Sequence, residues 1–209
     1  MAITATNSGQ VREPIPAGNY LARCYQMIEI GTVTEIVMNK SVTLKKVRIG
    51  WELPTEMKVF DTAKGEQPLV ISKEYTLSMH EKSNLRKDLK SWRGKDFSED
   101  EAKAFDITKL LGAPCMLNII HKPSASDPTR VYDQIAGITP LPRGITAPAA
   151  INKLFVLSYD EFNEERFAGL PDFIKTKMQS SAEFQSLRNP SEKSFDTDHI
   201  SEPINDLPF

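Results

Sequence analysis

Between Val70 and Gly94 the spacing of apolar residues changes from that of a strand to that of a helix, and no other stretch constrains the fold as tightly. From Val70 to Met79 the apolar residues Ile71, Tyr75, Leu77 and Met79 all occupy odd positions. That period of two, in a run rich in β-branched and aromatic residues, predicts a half-buried strand. From Ser83 onward Leu85, Leu89 and Trp92 recur at i, i+4 and i+7, while Arg86, Lys87, Lys90 and Arg93 take the other face. This predicts an amphipathic helix, capped by Ser83 or Asn84 and stopped by Gly94. Lys82, Arg86 and Lys87 crowd the helix start, where the macrodipole is already positive. Two readings follow: a place for an anion such as phosphate, or a solvated face neutralised by Glu81 and Asp88.

Four further strand-like runs flank this switch. Tyr20 to Ile30 follows Pro14, Pro16 and Gly18-Asn19, with Ala22, Cys24, Ile28 and Ile30 expected on one face and Gly31 ending or bending it. Thr32 to Leu44 is weakly patterned and suits a connection with a hairpin at Asn39-Lys40. Thr43 to Leu53 turns Val47, Ile49 and Trp51 inward and Lys46 and Arg48 outward; Pro54 closes it, and Met57 to Pro68 reads as a polar loop. After the helix, Ser98-Glu99-Asp100-Glu101 is a capping-box pattern opening a short helix to about Phe105. Asp106 caps one more turn before Gly112 and Pro114. Cys115 to His121 is a nearly continuous apolar run, a central strand, and Arg130 to Ile138 is the fifth.

Three strands, a helical insert and two strands is the order of the five-stranded Greek-key barrel called the OB-fold, whose helix lies between strands three and four. The same order also suits other small α+β domains. The expected organisation is a flexible arm at 1–13, the barrel at 14–143, a linker and helical segment at 144–188, and a disordered acidic tail at 189–209. In the helical segment Phe162 and Phe167, then Phe173, Ile174 and Met178, have helical spacing on either side of Gly169-Leu170-Pro171. They are expected to pack on the barrel or on another subunit.

The chain lacks the signatures of several function classes. No apolar run reaches the about 18 residues of a membrane span, and the N-terminus has no signal-peptide pattern, so a cytoplasmic protein without a membrane partner is expected. There is no phosphate-cradling GxxxxGK[ST] and no GxGxxG. His80, His121 and His199 are scattered, without metal-ligand spacing. Glu56-Met57-Lys58 and Glu101-Ala102-Lys103 have the E-x-K form seen in nucleases, but 28 acids and 26 bases produce such triplets by chance. No catalytic residue, cofactor or metal is therefore expected. Cys24 and Cys115, both in strand-like runs, read as two buried thiols.

Binding has more support. The net charge of −2 hides an asymmetry: residues 157–209 hold 11 acids and 5 bases, leaving 17 acids and 21 bases in residues 1–156. A basic body with an acidic tail points to a polyanion partner. Lys40, Lys45, Lys46 and Arg48 form one basic cluster, and Lys82, Arg86, Lys87, Lys90 and Arg93 a second. Single-strand binders combine such a groove with aromatic platforms for the bases. Trp51 and Trp92 lie on apolar faces and belong to the core. Tyr75 is the candidate platform, because its hydroxyl can reach solvent from a half-buried site.

The stretch SKEYTLSMHEKSNLRKDLKSWRGKDFSEDEAKAFDITKLLGAPCMLNIIH resembles phage-encoded single-stranded DNA-binding proteins with an OB-fold, and the similarity extends over roughly residues 14–142. The terminus Asp206-Leu207-Pro208-Phe209 is similar to the tip of bacterial single-stranded DNA-binding proteins, Asp-Ile-Pro-Phe after several acids. The resemblance implies a protein that coats single-stranded DNA in replication or recombination within an infected bacterial host. It also implies that the tip recruits phage or host replication and recombination proteins, with the Phe209 ring in a pocket and its carboxylate on a basic residue. The bacterial tail follows a long Gly- and Gln-rich linker, whereas a Phe-rich segment stands here and the acids are spread out. A homodimer is accordingly favoured over the bacterial tetramer. The alternative expectation is a protein-recruitment adaptor of a replication complex with little DNA binding of its own.

Overall fold

The computed structural model describes residues 13–124, 127–128, 130–147 and 149–189. Of the expected arm at 1–13 and tail at 189–209, all but Glu13 and Asn189 lie outside the described residues, the Asp206–Phe209 tip included. The fold is mainly β. Strands β1 (Gly18–Val37), β2 (Lys40–Asp61), β3 (Gly65–Thr76), β4 (Pro114–Pro123) and β5 (Val131–Thr139) form an antiparallel sheet in the order β3-β2-β1-β4-β5. A short strand, β6 (Phe155–Leu157), adds to β1 in parallel. The helices are α1 (Asn84–Arg93), α2 (Glu99–Lys103), α3 (Glu164–Ala168), α4 (Asp172–Gln179) and α5 (Ala182–Arg188). Among the described residues no helix is long and apolar enough to cross a membrane.

The sheet curls until its edge strands approach each other, and Lys73 Nζ on β3 reaches the carbonyl of Ile135 on β5 at 3.4 Å. Helix α1 lies against both edges. Its stripe of Leu85, Leu89 and Trp92 joins the buried faces of all five strands in one core. Local signals place it as expected: the Ser83 hydroxyl accepts from Arg86 N at 3.1 Å, and Gly94 ends the helix at φ 69°. Ser98 and Glu101 complete their capping box before α2, with bonds of 3.1 and 3.2 Å. Both cysteines are buried and free. Burial holds each thiol well above its ordinary pKa, Cys24 at about 12.

Strand β1 departs from the sequence reading. Its pairing with β2 shifts register between Cys24 and Gln26, and again between Glu29 and Gly31. An extra residue in a strand reverses which side chains face inward. Ala22, Cys24 and Met27 therefore enter the main core, while Ile28, Ile30 and Val33 enter a second one on the opposite face. The expected single face for Ala22, Cys24, Ile28 and Ile30 is thus divided by a bulge. Leu157 of β6 and Phe167, Leu170, Ile174, Met178 and Phe184 of the helical segment close the second core. That segment packs on the curled sheet, and Gly169-Leu170-Pro171 does separate α3 from α4.

Both long hairpins also exceed their expected lengths. Thr32 to Leu44 is paired strand, joined by a two-residue turn in which Met38 (φ 49°) and Asn39 (φ 61°) are both left-handed, the type that matches strand twist. Strand β2 runs past Pro54, which sits in a register shift between Leu53 and Met57 where a missing N–H breaks no ladder bond. Met57 to Pro68 is consequently a hairpin arm and not a loop. Its pattern misleads because the arm stands clear of the core, with Met57, Val59 and Phe60 exposed.

Gly31 fixes the docking of α5. It adopts φ +92°, and a Cβ there would lie 2.7 Å from Ser181 Oγ and from Glu183 Oε2. Next to it, Glu183 accepts from Thr32 N (2.6 Å) and Thr32 Oγ1 (2.8 Å). Lys177 of α4 donates to Glu35 at 2.7 Å. Burial alone would raise both carboxyls. Hydrogen bonds outweigh it, from Lys177 and Lys46 at Glu35 and from Thr32 at Glu183, and hold both below the usual range. Groups depressed in the folded state contribute stability above the unfolded value of about 4.3, and lose it as pH falls through the folded value. The urea midpoint, followed by circular dichroism, is expected to drop between pH 6 and pH 3. Glu183→Gln should show a smaller drop, and an equal drop in both proteins would remove Glu183 from the linkage.

Candidate nucleic-acid interface

The expected basic clusters do not form one groove. Lys46 and Arg48 share a face of the β2–β3 ribbon with Ser72 and Glu74, the face that α4 covers. Val47, Ile49, Ile71 and Tyr75 take the other face, toward α1. Lys46 pairs with Glu35 and Glu74, and Lys45 ends on Glu29 at 2.8 Å. On α1 the conflict at the helix start is relieved by carbonyl oxygens: Arg86 donates to Met79 O and Phe97 O, each at 3.2 Å. Lys90 meets Asp96 at 2.6 Å, and Arg93 meets Glu101 at 3.0 Å while its guanidinium stacks 4.1 Å from the Phe97 ring centre. Lys40, Lys82 and Lys87 stay exposed, without an ion pair among the described residues. Most of the anticipated positive charge is thus engaged by the fold itself.

Tyr75 requires a correction. It is 3% exposed, and its O–H donates to Asp88 Oδ2 at 2.7 Å, the oxygen that also receives Lys73 Nζ at 2.7 Å. Burial, then the neighbouring carboxylate, pushes its phenol far above the ordinary value. No base can stack on a ring covered by α1. Tyr75→Phe is expected to cost about 1–2 kcal/mol of stability, because it removes a bond to a charged group. Oligonucleotide affinity should not change. A loss of affinity with normal melting would restore Tyr75 to the interface.

The structure places a different set of residues around one cleft. Where β3 and β5 part beyond Lys73, a cleft of about 910 Å³ opens between Val70–Ser72, Arg130–Asp133 and the start of α4. Tyr25 and Gln26 of β1 and Arg48 of β2 also line it. Two rings on its walls are open to solvent, Phe173 at 62% and Tyr132 at 50%. Tyr25 is half-buried, and burial, with the nearby Glu52 carboxylate, raises its phenol above the ordinary value. Arg48 and Arg130 supply positive charge. The acid in the lining, Asp133, is engaged by Ile15 N at 3.0 Å. Such walls offer cations for a backbone and flat apolar faces for unstacked rings.

Of the expected residues, Arg48 alone belongs to this cleft. Tyr25 was hidden by the bulge that reverses β1. Phe173 has helical spacing like a core residue, yet the buried stripe of α4 is Ile174 and Met178. Tyr132 carried no clear signal either: it has the parity of the buried Ile138, and only the register shift between Ile135 and Gly137 puts both isoleucines in the main core and Tyr132 outside it. Comparison with known proteins returned no matching family model, no similar curated protein and no similar solved structure.

Proposed function

We propose that the protein binds single-stranded DNA in this cleft, on a barrel of the OB type. The observation that carries the reading is the convergence of Phe173, Tyr132, Arg48 and Arg130 on one open cleft. The sheet order β3-β2-β1-β4-β5, with α1 against the edges of β3 and β5, agrees with an OB barrel. In that fold the face of strands two and three and the loop between strands four and five take oligonucleotides. Here Arg48, Val70 and Ser72 come from β2 and β3, and Ser124 and Arg130 from the β4–β5 connection. A duplex keeps its base faces stacked, so these rings favour single strands. The sequence resemblance adds a setting, phage replication or recombination, and a tip that recruits other proteins.

Fluorescence anisotropy with fluorescein-labelled dT20 at two salt concentrations tests the reading. Affinity is expected to fall with salt by about 0.7 log units per log unit of salt for each phosphate neutralised. Arg130→Ala, which removes an exposed cation at the cleft mouth, should flatten the slope by about 0.7. Absence of binding at low salt would overturn the proposal and leave protein recruitment as the function.

A further inference from the structure

We propose that the cleft prefers guanine, which Arg48 reads while Phe173 carries the stack. The inference rests on the single-strand reading above and names the base that this site holds best.

Arg48 stands in the middle of β2, paired on both sides with β1 and β3, so its backbone is rigidly placed. Its Nη2 is tied to Ser72 Oγ, and its Cζ lies 5.2 Å from the Phe173 ring centre. Planes in direct contact would be about 3.5–4.0 Å apart. At this distance the guanidinium is not in close contact with the ring, and Phe173 is 62% exposed, so ring surface is left open. A guanidinium has five N–H donors in a fixed fork. One goes to Ser72, and the others meet no protein acceptor among the described residues. Unspent donors on a half-buried cation facing a cleft call for an acceptor from outside the protein.

A base laid on the open part of the Phe173 ring comes into one layer with the guanidinium, its edge toward those N–H groups. Guanine places two acceptors side by side, N7 and O6, which an arginine fork takes in bidentate fashion. Adenine sets a donor beside its N7, and thymine offers an isolated carbonyl there. Cytosine in a single strand can offer O2 and N3, but it has one ring to lay on Phe173 where guanine has two. Phosphate would also satisfy the fork, but a phosphate contact carries no base preference.

The test is anisotropy with four labelled 11-mers that differ only in the central base of a thymidine run: dG, dA, dC or dT. The proposal expects roughly tenfold tighter binding of the dG oligonucleotide than of the dT one, with dC between them. Arg48→Lys keeps the charge and loses the fork. It should lose the ratio between the dG and dT oligonucleotides and bind all four alike, whatever its overall affinity, and its melting curve checks that it is folded. Equal binding of the four by wild type would overturn guanine recognition and leave the single-strand reading standing. A dG preference that survives in Arg48→Lys would remove Arg48 from the recognition. Failure to bind any of the four would sink the single-strand reading and this inference with it.

Discussion

Trp51→Ala is expected to lower the stability by about 3–5 kcal/mol, the range for deleting a buried aromatic side chain. Trp51 is 0% exposed in the middle of β2, and its ring meets that of Trp92 on α1 with centroids 6.0 Å apart and planes tilted by 53°. Removing it takes away one of the contacts by which the sheet holds α1, beside those of Leu85 and Leu89. Single domains are stable by about 5–15 kcal/mol in total, so the variant should unfold at a much lower urea concentration. Trp92 is tied further, its Nε1 donating to Pro114 O at 3.0 Å. Trp51 Nε1 has no partner among the described residues. Trp51→Phe therefore removes an unsatisfied donor and keeps much of the ring, and should cost less than half as much. A midpoint unchanged in Trp51→Ala would mean that the β2–α1 contact does not hold the core.

Phe173→Ala and Tyr132→Ala are each expected to weaken binding of single-stranded oligonucleotides by about 1–3 kcal/mol, the value of a base stacked on an aromatic ring. Both rings are largely in solvent, so their loss should leave the melting temperature within the small range of ordinary surface changes. Phe60 is a matched control, 55% exposed on the β2–β3 arm and outside the cleft. Phe60→Ala should leave affinity unaltered. If Phe60→Ala weakens binding as much as Phe173→Ala, general apolar contact and not the cleft holds the DNA.

The parts of this fold that sequence periodicity could deliver are those where one face of an element meets one core. The stripe Leu85, Leu89, Trp92 and the odd-position run through Ile71 and Tyr75 are of this kind, and so are the caps at Ser83 and Ser98. Strand β1 is not. It faces two cores, and the bulge after Cys24 exchanges its faces without any proline or glycine to mark the place. β6 is three residues long and acquires its pairing from β1, so it leaves no period to detect. Charge was less legible still. A run of lysines and arginines looks like a binding surface until its partners are known: Glu29 and Glu35 come from β1 and Glu101 from α2, while Asp96 lies in the connection after α1. The cleft residues, conversely, come in ones, twos and threes from β1, β2, β3, the β4–β5 connection, β5 and α4, which only the folded chain brings together.

The most direct measurement is photo-crosslinking of an oligonucleotide carrying 5-iododeoxyuridine to the full-length protein, with the attachment sites read by mass spectrometry. Crosslinks are expected at Tyr132, Phe173 and Tyr25, the three rings around the cleft. Crosslinks confined to α1 or to the tips of the hairpin arms, with none at these rings, would contradict the account.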